Sequence, residues 1–97
     1  MKYEIYQIKD IENCEYPFMS WRFAESRFNF NDYEKVYEGE IECDDVYDTL
    51  EDLFTIFNIK RPQDFKGHSM SVSDVVKLGD DYYYVDGIGF KKINIGA

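Results

Sequence analysis

The fold is decided by residues 61–90, which read RPQDFKGHSMSVSDVVKLGDDYYYVDGIGF. Pro62 and Gly67 bracket a connecting loop over residues 61–69. After it, the β-rich runs 72–78 and 82–86 are joined by Gly79-Asp80-Asp81, and Gly87-Ile88-Gly89 leads into a third run, 90–95. Short connections that contain glycine are typical of adjacent antiparallel strands. This part of the chain therefore predicts three consecutive antiparallel strands.

The strongest helix signal lies directly upstream. Asp45 is placed to cap a first turn, and Asp48 adds negative charge where the helix dipole favours it. Asn58, with Pro62 beyond it, marks the end of the helix. The pattern predicts one principal amphipathic helix, whose apolar stripe is formed by Val46, Leu50, Leu53, Phe54 and Phe57.

The N-terminal half predicts further strands. Residues 2–9 and 18–23 alternate as strands do, and residues 24–32 read as a loop rich in turn formers. Residues 33–43 alternate most clearly, and the pattern predicts a half-buried strand with an acidic outer face. The expected fold is α+β: a largely antiparallel sheet of about five or six strands with the helix packed on one face. The predicted faces of this strand are Tyr33, Lys35, Tyr37, Gly39 and Ile41 against Glu34, Val36, Glu38, Glu40 and Glu42.

Length and composition bound the class of protein. A chain of 97 residues, 19% of them aromatic, fits a single domain, 1–97, with a dense core. No apolar run approaches the ~18 residues of a membrane span, and the first residues lack the apolar run of a signal peptide. Two cysteines, Cys14 and Cys43, are too few for a secreted disulfide framework. We therefore expect a cytoplasmic protein with unpaired thiols and no membrane partner.

The net charge of −9 is concentrated in one segment. Ten acids and one base, Lys35, lie between Asp32 and Asp52. This excess of acids argues against nucleic acid as a partner, because neutralising phosphates requires clustered Lys or Arg. The acidic patch could instead imitate a run of phosphates and occupy a DNA-binding protein, or it could be only a solvated face. Its residues are Glu38, Glu40, Glu42, Asp44, Asp45 and Asp48.

Three stretches together resemble the YodL-like domain family of bacteria. They are LEDLFTIFN at residues 50–58, RPQDFKGHSMSVSDVV at 61–76 and YYYVDGIGF at 82–90, and the resemblance covers roughly residues 33–90. The resemblance implies an association with prophages and conjugative elements, but no established activity. Where members of the family commonly have Ser after the Asp of the last stretch, this chain has Gly87.

The residues around His68 are the main candidates for chemistry. A hydrolytic set would need this histidine beside Ser69, Ser71 or Ser73, with Asp64 or Asp74 orienting the ring. The serines form no GxSxG pattern, and a histidine that orders its loop is the simpler interpretation. A strand that begins in this region would place the three serine hydroxyls on one face. Separately, the closeness of Arg61 and Asp64 in the sequence suggests a salt bridge within the loop.

No complete metal, cofactor or nucleophile pattern is present, so we expect neither an enzyme nor a cofactor. Asp80, Asp81 and Asp86 do not form an EF-hand calcium loop. The sequence favours a small protein-interaction domain of a mobile genetic element, which binds a host or element-encoded protein. The alternatives are an acidic DNA mimic and a hydrolase centred on His68. The predicted partner-binding residues are Trp21, Arg22, Arg61, Asp64, His68, Ser69, Ser71, Ser73 and Asp74.

Overall fold

The computed structural model describes residues 1–95 of the chain. A single antiparallel sheet has the strand order β2-β1-β3-β4-β5. Its elements, in chain order, are β1 (Lys2–Ile8), α1 (Trp21–Ala24), a 3₁₀ turn (Phe30–Asp32), β2 (Tyr33–Glu40), α2 (Val46–Ile59), β3 (Val75–Leu78), β4 (Asp81–Val85) and β5 (Phe90–Ile93). The predicted α+β class, with one principal helix, is confirmed. None of these helices has the length and hydropathy that crossing a bilayer requires.

Helix α2 forms where its periodicity predicts. The Asp45 carboxylate caps it by accepting a hydrogen bond from the amide of Asp48 at 3.0 Å. Its inward side chains pack on one face of the sheet, because the apolar stripe must be removed from water. The resulting core contains Leu50, Leu53, Phe57, Tyr3, Ile5, Met70, Val76, Leu78, Tyr83 and Val85.

The opposite face of the sheet is covered by residues 10–32, which form a second aromatic core. Phe28 lies at its centre, with its ring 5.2 Å from that of Trp21 and 5.5 Å from that of Tyr33. Trp21 in turn lies 5.0 Å from Tyr84. The predicted strand over residues 18–23 is wrong, because Trp21 and Ala24, one helical turn apart, both point into this core. The segment is a loop followed by the single turn of α1.

A β-bulge in β2 corrects the predicted faces of that strand. Ile5 of β1 pairs with Tyr37, while Tyr6 pairs with Lys35, so an extra residue interrupts the register. Side chains alternate between the two faces of a strand, so one extra residue moves every side chain beyond the bulge to the face opposite the predicted one. Lys35 is thereby brought to Glu38, and their charged groups lie 2.5 Å apart. The predicted separation of Lys35 from the acidic face is therefore wrong.

Three connections meet at one end of the sheet, which we call the loop end. There Ile8 pairs with Tyr33, and Val85 pairs with Phe90. Strand β3 begins at the same end, at Val75, so the strand predicted over residues 72–78 is shorter than expected. The loop end thus gathers residues 9–32, 60–74 and 86–89.

Candidate functional site

A buried polar cluster at the loop end holds the 60–74 connection onto the sheet. Gln7 is 2% exposed, and its Nε2 donates to the carbonyl of His68 at 2.8 Å and to Asp74 Oδ2 at 3.0 Å. Gln7 Oε1 accepts from the amide of His68 at 3.2 Å, which makes the contact reciprocal, as between two strands. Asp74 Oδ2 also accepts from the amide of Ser71 at 2.9 Å. Buried polar groups are thus paired, and the loop is fixed in one conformation.

Burial also changes the acidity of Asp74. Removal of this carboxyl group from water raises its pKa to about 7, although the hydrogen bonds from Ser71 and Gln7 and the nearby His68 act in the opposite direction. The hydroxyls of Tyr33 and Tyr84 belong to the same neighbourhood, and burial raises the pKa of both above the ordinary tyrosine value. Asp74 is therefore a carboxyl group whose pKa is moved close to neutral pH by its burial at the loop end.

Two residues with strained backbones meet in the same place. Phe18 has φ +64° and Ser73 has φ +87°, a region that costs a non-glycine residue roughly 1–2 kcal/mol. The amide of Phe18 donates to Ser73 Oγ at 2.9 Å. Ser73 is held in turn by its amide, which donates to the carbonyl of Val85 at 2.9 Å, and by the Tyr33 hydroxyl, which donates to the Ser73 carbonyl at 2.5 Å. Strain maintained by surrounding bonds is characteristic of functional segments.

The strained backbone exposes an apolar surface. Phe18 is 55% exposed, Met19 40% and Phe23 59%, and Ile88 in the hairpin between β4 and β5 is 97% exposed. The Phe18 ring lies 6.4 Å from the His68 ring, and residue 87 approaches Ser20. We call this set the Phe18 surface: Phe18, Met19, Phe23, His68 and Ile88.

The Phe18 surface is carried by a rigid frame. The amide of Trp21 donates to Asp86 Oδ1 at 3.0 Å, and the Tyr84 hydroxyl donates to the carbonyl of Met19 at 2.6 Å. These bonds tie the 18–21 segment to β4 and to the hairpin that follows it. The exposed rings are therefore presented without the entropy cost that a flexible loop would incur on binding.

The hydrogen bonds of His68 do not assemble a hydrolytic set. Nδ1 lies 2.7 Å from the carbonyl oxygen of Ser69, so Nδ1 carries the proton and donates it. The Ser71 hydroxyl donates to the same carbonyl, and Ser73 Oγ receives the amide of Phe18. In the described part of the chain, no serine hydroxyl bonds to the imidazole, and no group of three His, Cys, Asp or Glu side chains could hold a metal ion.

The predicted serine face does not form, because residues 69–73 lie outside β3. Ser69 is exposed, Ser71 is partly exposed and Ser73 is buried. Asp74 is buried as well, and its carboxylate accepts hydrogen bonds from Gln7 and Ser71 that hold the loop.

The remaining predicted residues are divided between core and surface. Trp21 is an anchor of the second core, whereas Arg22 is exposed and lies over the Phe23 ring at 5.7 Å. The predicted salt bridge between Arg61 and Asp64 is wrong, because within residues 1–95 Arg61 forms no ion pair. Asp64 instead interacts with the Tyr37 hydroxyl. Burial raises the pKa of Tyr37, and the interaction with Asp64 adds a smaller increase. Cys14 and Cys43 are free thiols, as predicted.

The acidic patch is less uniform than the sequence suggests. Lys35 Nζ lies 2.5 Å from Glu38 and 3.9 Å from Glu4, and this contact holds the pKa of Glu38 below its usual range. Glu40 lies opposite Lys2 in the register of β1 and β2, although Lys2 forms its ion pair with Glu4. Glu42 follows the end of β2, and the Asp45 carboxylate is occupied as the cap of α2. Asp44 and Asp48 are exposed.

Sequence reasoning missed Phe18 and Gln7. A signal for Gln7 was present, because it occupies the face of β1 that otherwise carries Tyr3 and Ile5, and a polar residue at a core position needs partners. Phe18 follows Pro17 and carries no comparable local signal, since its positive φ depends on a hydroxyl 55 residues away.

We predict that Gly67→Ala destabilises the loop end. A Cβ at this position would lie 2.3 Å from Gln7 Oε1 and 2.9 Å from Phe65 Cζ, and the hydrogen bonds of Gln7 prevent it from moving aside. The expected loss is about 1–3 kcal/mol in the free energy of unfolding, measured by urea denaturation. Gly87→Ala is the matched control, because its Cβ would meet only Ser20 Cβ at 3.8 Å. Equal losses in both variants would contradict the packing described for Gly67.

Comparison with known proteins is consistent with the sequence resemblance. An uncharacterized protein, R785, of Acanthamoeba polyphaga mimivirus is 41% identical over 80 residues, which span 69% of this chain and 74% of that protein. No solved structure matches the chain. The sequence model of the YodL-like domain matches residues 2–95, a longer span than the 33–90 of the initial resemblance. The chain therefore belongs to the YodL-like domain family.

Proposed function

We propose that the chain is a protein-interaction domain of a mobile genetic element, acting in the cytoplasm by binding a host or element-encoded protein through the Phe18 surface. The observation that carries the proposal is Phe18 itself, a large apolar ring exposed on a strained backbone that buried hydrogen bonds maintain. Exposed apolar groups on a rigid frame are typical of binding anchors. The similarity to a viral protein supports the link to mobile elements.

Binding is favoured over catalysis by the way the polar groups are used. The hydroxyls of Ser71 and Ser73 bond to main-chain atoms, and Asp74 is occupied by Gln7 and Ser71. A DNA mimic is less well supported, because Lys35 interrupts the row of acids that would stand for phosphates. A hydrolase would need a nucleophile within reach of the His68 imidazole, and within residues 1–95 no serine hydroxyl bonds to this ring, since those of Ser71 and Ser73 are bonded to main-chain atoms.

The test separates binding from folding. Asparagine tolerates positive φ better than phenylalanine does, so Phe18→Asn removes the ring while preserving the loop. We expect Phe18→Asn and Ile88→Asp to lower the recovery of a cross-linked partner by about tenfold or more, as substitutions of binding anchors do. The readout is quantitative mass spectrometry after capture from host cells, with thermal unfolding to check each fold.

Ile59→Asp is the matched control, because Ile59 is 75% exposed but lies at the end of α2 and outside the Phe18 surface. Partner recovery that survives both Phe18→Asn and Ile88→Asp would refute the proposal. So would a loss of the same size in Ile59→Asp.

A further inference from the structure

A cleft lies beside Ile88 and is lined by residues outside the Phe18 surface. It has a volume of about 210 Å³, below the roughly 300–1,000 Å³ of small-molecule sites, so it suits a protein side chain better than a ligand. Its apolar lining comes from α2, from the residues before β3 and from the β4–β5 hairpin: Phe54, Val72, Val85 and Phe90.

Both charged residues that line this cleft are acids. Glu51 projects from α2, and Asp86 lies at the end of β4. Within residues 1–95 neither carboxylate forms an ion pair, and the Oδ1 atom of Asp86 is occupied by the amides of Trp21 and Gly87. The cleft therefore offers apolar walls with uncompensated negative charge beside them.

We propose that this cleft binds a basic segment of the partner protein, in which a Lys or Arg is adjacent to a large apolar side chain. The apolar side chain, or the aliphatic part of the Lys or Arg, packs against Phe54 and Phe90. The cationic group of the partner reaches Glu51 and gives this carboxylate the ion-pair partner that the chain itself does not supply.

The charge of the whole molecule points to the same partner. The chain has a net charge of −9, and Glu51 belongs to the segment 32–52, which contains ten acids and one base. The negative electrostatic potential around these acids attracts a positively charged segment and repels an acidic one before contact is made. This inference rests on the proposed protein-binding function and adds the chemistry of the partner to it.

Random-sequence peptides displayed on phage, selected on the immobilised chain, test the inference. The expected peptides combine Lys or Arg with a neighbouring Leu, Ile, Phe or Met. A selected peptide should bind Glu51→Lys about tenfold or more weakly than the unaltered chain, because like charges then meet in the cleft. Exchanging that peptide's Lys for Glu should restore binding to Glu51→Lys.

Asp52→Lys is the matched control. It changes the net charge by the same amount one residue away, at an exposed position that does not line the cleft. We expect at most a small effect on binding, which fades as salt is added. Selection of no peptides, selected peptides without Lys or Arg, or equal losses in Glu51→Lys and Asp52→Lys would each overturn the inference. The Phe18→Asn experiment is independent of these outcomes, so the wider proposal can fail or stand separately.

Discussion

Phe57→Ala is expected to lower the free energy of unfolding by about 3–5 kcal/mol, the usual cost of removing a buried aromatic ring. Phe57 is fully buried on α2, and its ring lies 4.9 Å from that of Phe65, 5.3 Å from that of Tyr37 and 6.2 Å from that of Tyr3. The ring thus joins the helix, the two strands at one side of the sheet and the 60–74 connection. Its loss leaves a cavity that none of these neighbours can fill without moving.

Guanidinium denaturation measures this effect, and Ile59→Ala on the same helix is the control. Ile59 is largely exposed, so its truncation should change the free energy of unfolding by about 0.5 kcal/mol or less. The 3–5 kcal/mol loss is a large fraction of the 5–15 kcal/mol that typically stabilises a domain, so Phe57→Ala should also melt more than about 12 °C lower. A loss below about 1 kcal/mol would show that Phe57 does not join these elements.

The second large effect is the pH dependence that Asp74 imposes. In the unfolded chain an aspartate titrates near 3.8, whereas burial raises the pKa of Asp74 in the folded chain to about 7. The folded state therefore binds the proton more tightly, and the stabilisation is complete below pH 3.8 and is lost as the pH rises through 7. One pKa unit is worth about 1.4 kcal/mol, so the stability contributed by this group should fall by about 3–4 kcal/mol between pH 4 and pH 8.

Asp74→Asn should remove this slope, because an amide does not ionise. The free energy of unfolding of both proteins is measured at intervals between pH 4 and pH 8. As the pH rises, the variant should become more stable relative to the unaltered chain. His68→Gln, introduced into both proteins, removes the imidazole that lies close to Asp74. Asp80→Asn, in the exposed turn between β3 and β4, is the control and should leave the slope unchanged. Parallel stability curves for Asp74→Asn and the unaltered chain would refute the assignment.

Where the sequence predicted correctly, the signal was local. Helix α2 could be recognised because its apolar stripe repeats at 3.6 residues and its cap lies within its own first turn. The three C-terminal strands could be recognised because short connections leave adjacent pairing as the simplest arrangement. In each case the deciding contacts join residues that are close in the chain.

Where the sequence predicted wrongly, the deciding contacts were distant. Residues 18–23 alternate like a strand, but the Ser73 hydroxyl, the Asp86 carboxylate and the Tyr84 hydroxyl bind their main chain from 55 to 65 residues away. The bulge in β2 depends on the register of β1, which no pattern within β2 reveals. The serines of residues 69–73 were expected to share a face, and the packing against Gln7 and Phe18 separates them.

The sequence by itself determined the class of fold, the position of α2, the order of the C-terminal strands and the membership of the family, because each depends on local periodicity or on a recognisable run of residues. Only the tertiary structure decided that Phe18 is exposed, that Trp21 packs against the second aromatic core and that Gln7, His68 and Asp74 form one cluster. The physical reason is that a strained backbone and a buried carboxyl group are stable only when partners from distant segments supply the hydrogen bonds. Those partners come together only when the three connections meet at the loop end of the sheet.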